Sequence, residues 1–511
     1  MVAAAIFVTR IFGLVREAVF ARYFGLSGVA DAFRAAMRIP NVLQNLLGEG
    51  VLSASFIPVY ARLRAQSERE EAGRVAGAIF SLLALVTSLL VLVGVVATPL
   101  LVDVIAPGFH DERRALAIQL VRVFFPGVGF LVMSAWCLGI LNSHRKFFLP
   151  YIAPVLWNLA MIVTLLAFGG RTDLNRLAYY TAWGFVIGSA LQFLVQLPVV
   201  IRLEPALGLA LRLASDNVRA VIQNFGPVFV SRGVTQLSGF VDSILASYVG
   251  VGALAALTNA QLIYILPVSL FGMSVSVAEL PAMSSVLGSE QEVAGILRRR
   301  LISSTERIGF FVVPSAMAFL ALGDVIAAAI FQSGRFTHAD SLRVWGILAG
   351  SAVGLVAATV GRLYSSAYYA LRDTRTPLRY AAIRVILTTV LGYLFALPFA
   401  RLIGHPNWGT AGLTASYGIS AWVEFVLLRR GMAQRIGEIG SAKTYFAKLW
   451  VSAIVAAALA WGVKLSLHPQ GRIVAAILIL LPYGLAYLAL TTLMGIEQAG
   501  ALVRRVRQTS N

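Results

Sequence analysis

Residues Ile79 to Val102 read IFSLLALVTSLLVLVGVVATPLLV, a run without one charged side chain. At a rise of 1.5 Å per residue, a helix over this stretch is roughly 36 Å long. That is enough to cross a hydrocarbon core of about 30 Å. Ile473 to Met494 (IVAAILILLPYGLAYLALTTLM) repeats the pattern. Over all 511 residues, 59% are hydrophobic and 13% charged, and mean hydropathy is +0.81. A water-facing surface cannot hide so much apolar side chain. The chain reads as an all-α integral membrane protein with 14 transmembrane helices expected, from 1–24, 32–61 and 76–105 through to 445–465 and 472–495.

The net charge of +19 would suit a nucleic-acid partner if it were clustered, but it is spread along the chain in a pattern. Of the 42 Lys and Arg, 23 fall in one alternating set of connecting segments, 9 in the other and 10 inside apolar spans. Positive residues mark cytoplasmic loops, so both termini are expected inside and the span count is even. This is the pattern of a multi-pass membrane protein, with no nucleic-acid partner. The single cysteine, Cys137, excludes a disulfide within the chain, and the five histidines lack metal-ligand spacing. Met1 to Ala5 has no basic region of a cleavable signal, so the first helix is expected to be its own insertion signal. It has no cytoplasmic flank, which leaves a native start upstream of Met1 open.

The chain also repeats itself. Phe7-Val8-Thr9-Arg10 is echoed by Phe229-Val230-Ser231-Arg232, and Ala21 to Gly25 by Ala246 to Gly250. Ser53 to Pro58 matches Ser276 to Pro281, and Leu141 with Arg145 matches Leu371 with Arg375, all at offsets of 222 to 230. Six spans separate the copies, an even number, so the repeat is parallel. The expected organisation is an N-terminal six-helix lobe (1–201), a cytoplasmic amphipathic linker (202–220), a C-terminal six-helix lobe (221–428), and two further helices with a cytoplasmic tail (429–511). A parallel pair of lobes implies a central cavity as the substrate path.

Arginine inside a span costs ~2.5–3.5 kcal/mol at the helix centre, so each must face protein or a wet cavity. Half of the ten, Arg10, Arg16, Arg22, Arg34 and Arg38, fall in the first two spans with Glu17, Asp31 and Glu49. Arg34, Arg38, Asn41 and Asn45 are spaced 4, 3 and 4, which puts them on one helical stripe, and Pro40 permits a kink there. Guanidinium forks grip phosphate through paired hydrogen bonds. The stripe, with Arg10 and Arg16, is therefore expected to line a site for an anionic substrate. The competing reading has Arg10, Arg16, Glu17 and Glu49 pairing to hold the two helices together. Arg22, near a helix end, is expected to snorkel. Asp242 could bind a coupling Na⁺ or H⁺, or pair with an arginine such as Arg232. Trp157, Trp183 and Trp422 read as packing or interfacial anchors, and Glu279, Glu306 and Asp324 as structural. No cofactor is implied beyond that coupling ion. The spans hold no His, Cys or acid cluster with catalytic spacing, which argues against a membrane-embedded enzyme.

Thr9-Arg10-x-x-Gly13-x-x-Arg16-Glu17, Asp31-Ala32-Phe33, Pro40-Asn41 and Gly48-Glu49-Gly50 through Phe56-x-Pro58 resemble the opening helices of the MurJ (MviN) family. Phe331-Gln332-x-Gly334-Arg335-Phe336-Thr337 and Asp373-x-x-Thr376-Pro377 resemble its second-lobe signatures. The resemblance implies the fold shared with multidrug and polysaccharide exporters, and the flipping of lipid II, the undecaprenyl-pyrophosphate-linked peptidoglycan precursor. Cell-wall synthesis enzymes would then be candidate partners, beside membrane lipids. It implies cavity roles for Arg10, Arg16, Glu17, Asp31 and Glu49, and a sodium-site role for Asp242. Asn45 and Leu262 stand where many members carry arginine, and no acid in 378–400 completes a sodium site. Arg38, with Arg34 second, is expected to make up the missing charge. The alternatives are an exporter of another lipid-linked glycan or of a cationic drug. A drug exporter should present acidic groups in its cavity, whereas this first lobe is rich in arginine.

Overall fold

The computed structural model describes residues 2–208, 215–286, 289–402, 404–438, 440, 443–466 and 471–509. Side chains at 2, 3, 40, 49, 227, 228, 230–239, 290, 406, 503 and 505–509 lie outside the described set, as does the middle of the linker at 209–214. All regular structure among the described residues is helical. The chain divides into two compact units, Met1–Ala255 with Ser333–Phe336, and Ala256–Gln332 with Thr337–Asn511.

The first unit holds α1 (Val2–Phe24), α2 (Gly28–Leu47), α3 (Glu49–Ser55), α4 (Ile57–Ala65), α5 (Arg69–Val96), α6 (Thr98–Ile105), α7 (Asp111–Ser143), α8 (Phe148–Ile152), α9 (Pro154–Phe168), α10 (Leu174–Leu194), α11 (Leu197–Leu203) and α12 (Asp216–Val249). Its central helix is α7, which packs on α2, α5 and α10. Trp136 of α7 is wholly buried and donates its indole N–H to the Ala76 carbonyl at 3.1 Å. α5 shows what a lipid-facing span looks like. Its Ala72, Gly73, Ala76 and Ile79 are buried, while Leu89, Leu92 and Val96 stand outward at 58 to 73% exposure. The compact unit runs past the expected lobe boundary at 201, because α12 packs on α2 and α3.

The second unit takes most of α13 (Ala253–Pro267), then α14 (Ser274–Ser284), α15 (Glu290–Phe331), α16 (His338–Ala370), α17 (Arg375–Leu394), the short α18 (Ala400–Leu402), α19 (Gly409–Ile436), α20 (Lys443–Ser466), α21 (Arg472–Leu493) and α22 (Glu497–Thr509). π-Helical turns join α13 to α14 and α17 to α18, beside Pro267 and Pro398. The two extra helices, α20 and α21, pack on α15. As expected of structural acids, Asp324 accepts from Lys464 at 2.6 Å and Glu279 from Arg300 at 3.1 Å. Trp422 donates to the Val353 carbonyl at 2.7 Å.

Among the described residues, twelve helices are long and apolar enough to cross a membrane. The two expected spans outside that number are α1, which carries Arg10, Arg16, Glu17 and Arg22, and α12, whose apolar described part is Phe240–Val249.

The internal repeat shows in the turns. Arg145 and Arg372 both have left-handed φ, +59° and +58°. Each sits in the turn after a long helix that starts at Asp111 in one copy and at His338 in the other. The following residue closes each turn in the same way, Lys146 N–H to the Leu141 carbonyl at 2.8 Å and Asp373 N–H to the Tyr368 carbonyl at 2.9 Å. The geometric partner of Leu141 is therefore Tyr368, where the sequence match had picked Leu371.

The motif residues have local reasons. Asp373 caps α17, accepting from Arg375 N–H and Thr376 N–H at 3.0 Å each, from the Thr376 hydroxyl at 2.6 Å, and from Arg435. The Thr376 hydrogen bonds first, then Arg435, hold its carboxyl at about 2. A depressed carboxyl contributes stability above its unfolded value of about 3.9 and loses it as pH falls through the folded one. Asp373→Asn should therefore melt lower than the parent at pH 7 in detergent, with the gap closing as pH is taken from about 4 towards 2. A gap that persists at the lowest pH would assign the effect to packing.

In the second-lobe signature, Phe331 and Phe336 are buried and Thr337 caps α16 in a reciprocal box with Asp340. Ser333–Phe336 belongs to the first unit, where Arg335 N–H donates to the Arg22 carbonyl at 2.8 Å. Gly334 and Gly25, both left-handed (φ +58° and +56°), make this approach possible. A Cβ on Gly334 would lie 2.4 Å from the Arg22 carbonyl oxygen, and one on Gly25 2.7 Å from that of Arg335.

Candidate substrate cavity

Helices α1, α2, α3, α7, α8, α9 and α10 of the first unit enclose a cavity of about 710 Å³. Among the described residues, Arg10 is its one charged lining side chain. Asn41, Gln44 and Asn45 face it from α2, Ser134 from α7, and Gln192 from α10. Trp157 and Tyr151 supply aromatic wall.

Beside this space lies a buried charge cluster. Glu17 accepts from Arg16 through one carboxylate oxygen and from Arg34 through the other. Arg16 also donates to Asn158 Oδ1 at 2.9 Å and lies over the Trp157 ring at 4.3 Å. Asn158 is fixed in turn by donating to the Pro154 carbonyl at 2.9 Å. Arg34 lies over Phe20 at 4.2 Å. Two guanidiniums share one carboxylate, so the cluster carries one excess positive charge. Glu17 and Arg34 are 6% and 8% exposed, which leaves little water to weaken these pairs.

The expected stripe on α2 is divided by this packing. Asn41 and Asn45 line the cavity, but Arg34 and Arg38 are not among its lining side chains. Arg34 turns to Glu17, while Arg38 interacts electrostatically with Asp242. Asp31 also stands apart from the cavity. It is wholly buried, and its two oxygens accept the backbone N–H groups of Gly252 and Ala255, the latter at 2.9 Å. It thereby holds the first turn of α13. The side chains of Glu49 and Arg232 lie outside the described residues. Asp242, expected as an ion ligand or a partner of Arg232, has Arg38 as its described opposite charge. No group of three or more His, Cys, Asp or Glu able to hold a metal ion occurs among the described residues.

Sequence reasoning missed Asn158 and Gln192 and took Trp157 for an anchor, since their role depends on which helices meet α1. It also missed a second buried cluster. Glu204 accepts from the Tyr60 hydroxyl, lies 2.9 Å from His144 Nε2, and has Arg64 at 3.9 Å. Burial pushes the His144 imidazole below its ordinary value, against the pull of Glu204. A histidine in a short connection gave no signal of this.

An arginine-bearing polar cavity within apolar helices, in a chain that repeats its own turn chemistry, defines a membrane transporter rather than an enzyme. The comparisons with known proteins agree. The pattern of the family described as "Lipid II flippase MurJ" matches residues 20–482. The lipid II flippase MurJ of Burkholderia cenocepacia is 32% identical over 436 residues, covering 84% of this chain and 81% of that protein. The probable lipid II flippase MurJ of Rhizobium tropici is also 32% identical, over 83% of this chain and 79% of its own length. A solved structure of lipid II flippase MurJ in an inward closed conformation shares the fold, with TM-score 0.78 and 24% identity over 96% of this chain and 98% of that one. An inward-facing multidrug transporter of the MATE family matches with TM-score 0.64 and 18% identity, over 83% and 95% of the two chains. The chain belongs to the lipid II flippase MurJ family.

Proposed function

We propose that this protein carries lipid II from the inner to the outer leaflet by alternating access, supplying peptidoglycan synthesis. The sugar-pyrophosphate head enters the polar cavity while the prenyl tail stays in lipid. This spares the head an unsolvated crossing of hydrocarbon. The observation that carries the reading is the cavity itself, with Arg10 in its wall and the positively charged Arg16–Glu17–Arg34 cluster behind Trp157. Family membership supplies the identity of the lipid. Expression in cells depleted of their own lipid II flippase tests it. Growth and restored surface exposure of lipid II are expected, and lysis at normal protein abundance would overturn the reading.

The proposal includes fourteen spans, α1 and α12 among them, and cytoplasmic termini. Membrane-impermeant thiol labelling of intact cells should reach Glu112→Cys and Val251→Cys and miss Gln66→Cys and Gln434→Cys. Native Cys137 is buried and should give no background. Outside labelling at Gln66→Cys would overturn the topology. For coupling, a Na⁺ or H⁺ at Asp242 would compete with Arg38 for the same carboxylate. Replacing Na⁺ by choline in a vesicle flipping assay separates the two ions, and an unchanged rate excludes Na⁺. Cell-wall synthesis enzymes, as the consumers of flipped lipid II, are the partners to seek by crosslinking.

A further inference from the structure

One wall of the cavity carries polar groups that the anion chemistry leaves unused. Gln192 and Gln196 lie one turn apart and converge on Ser134 of α7. Gln192 Nε2 donates to Ser134 Oγ at 3.0 Å, and Gln196 Nε2 donates to the same oxygen at 2.7 Å and to the Gln192 carbonyl at 2.8 Å. All three are buried, at 8%, 1% and 3% exposure for Gln192, Gln196 and Ser134. A backbone carbonyl can only accept, so the Gln196 amide is fixed with its oxygen turned away. Neither Gln192 Oε1 nor Gln196 Oε1 has a hydrogen-bond partner among the described residues. A buried acceptor without a donor is destabilising, and a ligand bringing O–H or N–H groups would recover that loss.

Gln192 and Ser134 line the cavity, and the carboxamides of Asn41, Gln44 and Asn45 line it from α2. Uncharged carboxamides beside the aromatic side chains of Trp157 and Tyr151 suit a sugar better than a phosphate. Ring hydroxyls and acetamido N–H groups donate to carboxamide oxygens, while the apolar face of a pyranose lies on an aromatic ring. The volume, about 710 Å³, falls within the ~300–1,000 Å³ of small-molecule sites. We infer that this wall is a saccharide subsite, in which the Gln192 side chain turns its enclosed, unpartnered Oε1 into the cavity to accept a hydrogen bond from a sugar hydroxyl or acetamido N–H of the lipid-linked head. The inference rests on the flippase reading and divides the cavity by chemistry. Arg10, backed by the positive charge of the cluster at Arg16, serves the pyrophosphate, and the Gln192–Ser134 wall serves the sugar. Asn45 then belongs to a sugar-binding surface, where a second-helix arginine would have served phosphate.

The test compares two ligands on the full-length protein in lipid nanodiscs, lipid II and undecaprenyl pyrophosphate without sugar. The parent should bind lipid II at least about 10-fold more tightly than undecaprenyl pyrophosphate. Gln192→Leu should lose about 10-fold for lipid II, the worth of one good hydrogen bond, and stay within about 2-fold for undecaprenyl pyrophosphate. Ser134→Ala should fall in the same direction, and retained binding of undecaprenyl pyrophosphate certifies the fold of both variants. The subsite is overturned if the parent does not discriminate, if Gln192→Leu binds lipid II as the parent does, or if it weakens both ligands equally. A parent protein that binds no lipid II overturns the flippase reading instead, before any variant is made.

Discussion

Glu17→Ala should cost about 3–5 kcal/mol of stability and remove most of the protein from the membrane. The substitution leaves Arg16 and Arg34 facing the space they had shared, buried, with no carboxylate between them. Asn158 and the rings of Trp157 and Phe20, which carry no charge, stay beside them. The loss should be repaired from the other side. Glu17→Ala/Arg34→Ala leaves one guanidinium, the same net charge as the parent cluster, and should recover much of the abundance. Immunoblots of membrane fractions and thermal melts in detergent read both effects. Normal abundance of the single variant would show that water reaches the cluster and that its pairs are worth no more than surface ones.

Arg16→Ala should behave in the opposite way. It leaves Glu17 paired with Arg34, a neutral buried couple, so the protein should insert and accumulate normally. Transport should fall by about 10- to 100-fold, the worth of charged hydrogen bonds at 1.5–3 kcal/mol. Arg16→Lys should recover little. Arg16 uses one terminal nitrogen for Glu17 and the other for Asn158 while its plane lies on Trp157, and a point ammonium cannot do all three. Arg10→Ala should weaken undecaprenyl pyrophosphate and lipid II alike, since the phosphate contact proposed for it is common to both. Flipping in reconstituted vesicles, normalised to protein, decides. Parent rates for Arg16→Ala would make Arg16 a packing residue.

The helical class, and most of the spans, were legible because a bilayer needs long apolar runs and such runs are local in sequence. The parallel repeat was legible for a similar reason. Turn chemistry such as that at Arg145 and Arg372 recurs when the same corner is built twice. In the cavity, Arg10, Asn41 and Asn45 were found by the cost of burying polarity at helical spacing. What periodicity cannot give is the partner. It offered Glu17 as a partner for Arg16 but kept Arg34 in the anion site, because side-chain direction depends on how α1 and α2 meet. Asp31 looked like a site acid, whereas its partners are N–H groups at Gly252 and Ala255, more than 200 residues away. Gln192 and Asn158 looked like ordinary span residues. Their meaning comes from α9 packing on α1 and α10 on α7.

The seat of Ser333–Phe336 against the Arg22 carbonyl also has a consequence for biogenesis. A ribosome has made the rest of the first unit once residue 255 leaves the tunnel, yet that unit lacks its last piece until residue 336 is synthesised. At about 5–20 residues per second, Arg335 follows Ala255 by roughly 4–16 s. Over that interval the nascent helices α1 to α12 sit in the membrane with the cup between Gly25 and Arg22 unfilled. Cutting the gene after the first repeat would therefore yield a fragment that is missing part of its own structure. Supplying the remainder as a second polypeptide should rescue it in a way that Arg335 deletion or Gly334→Val prevents.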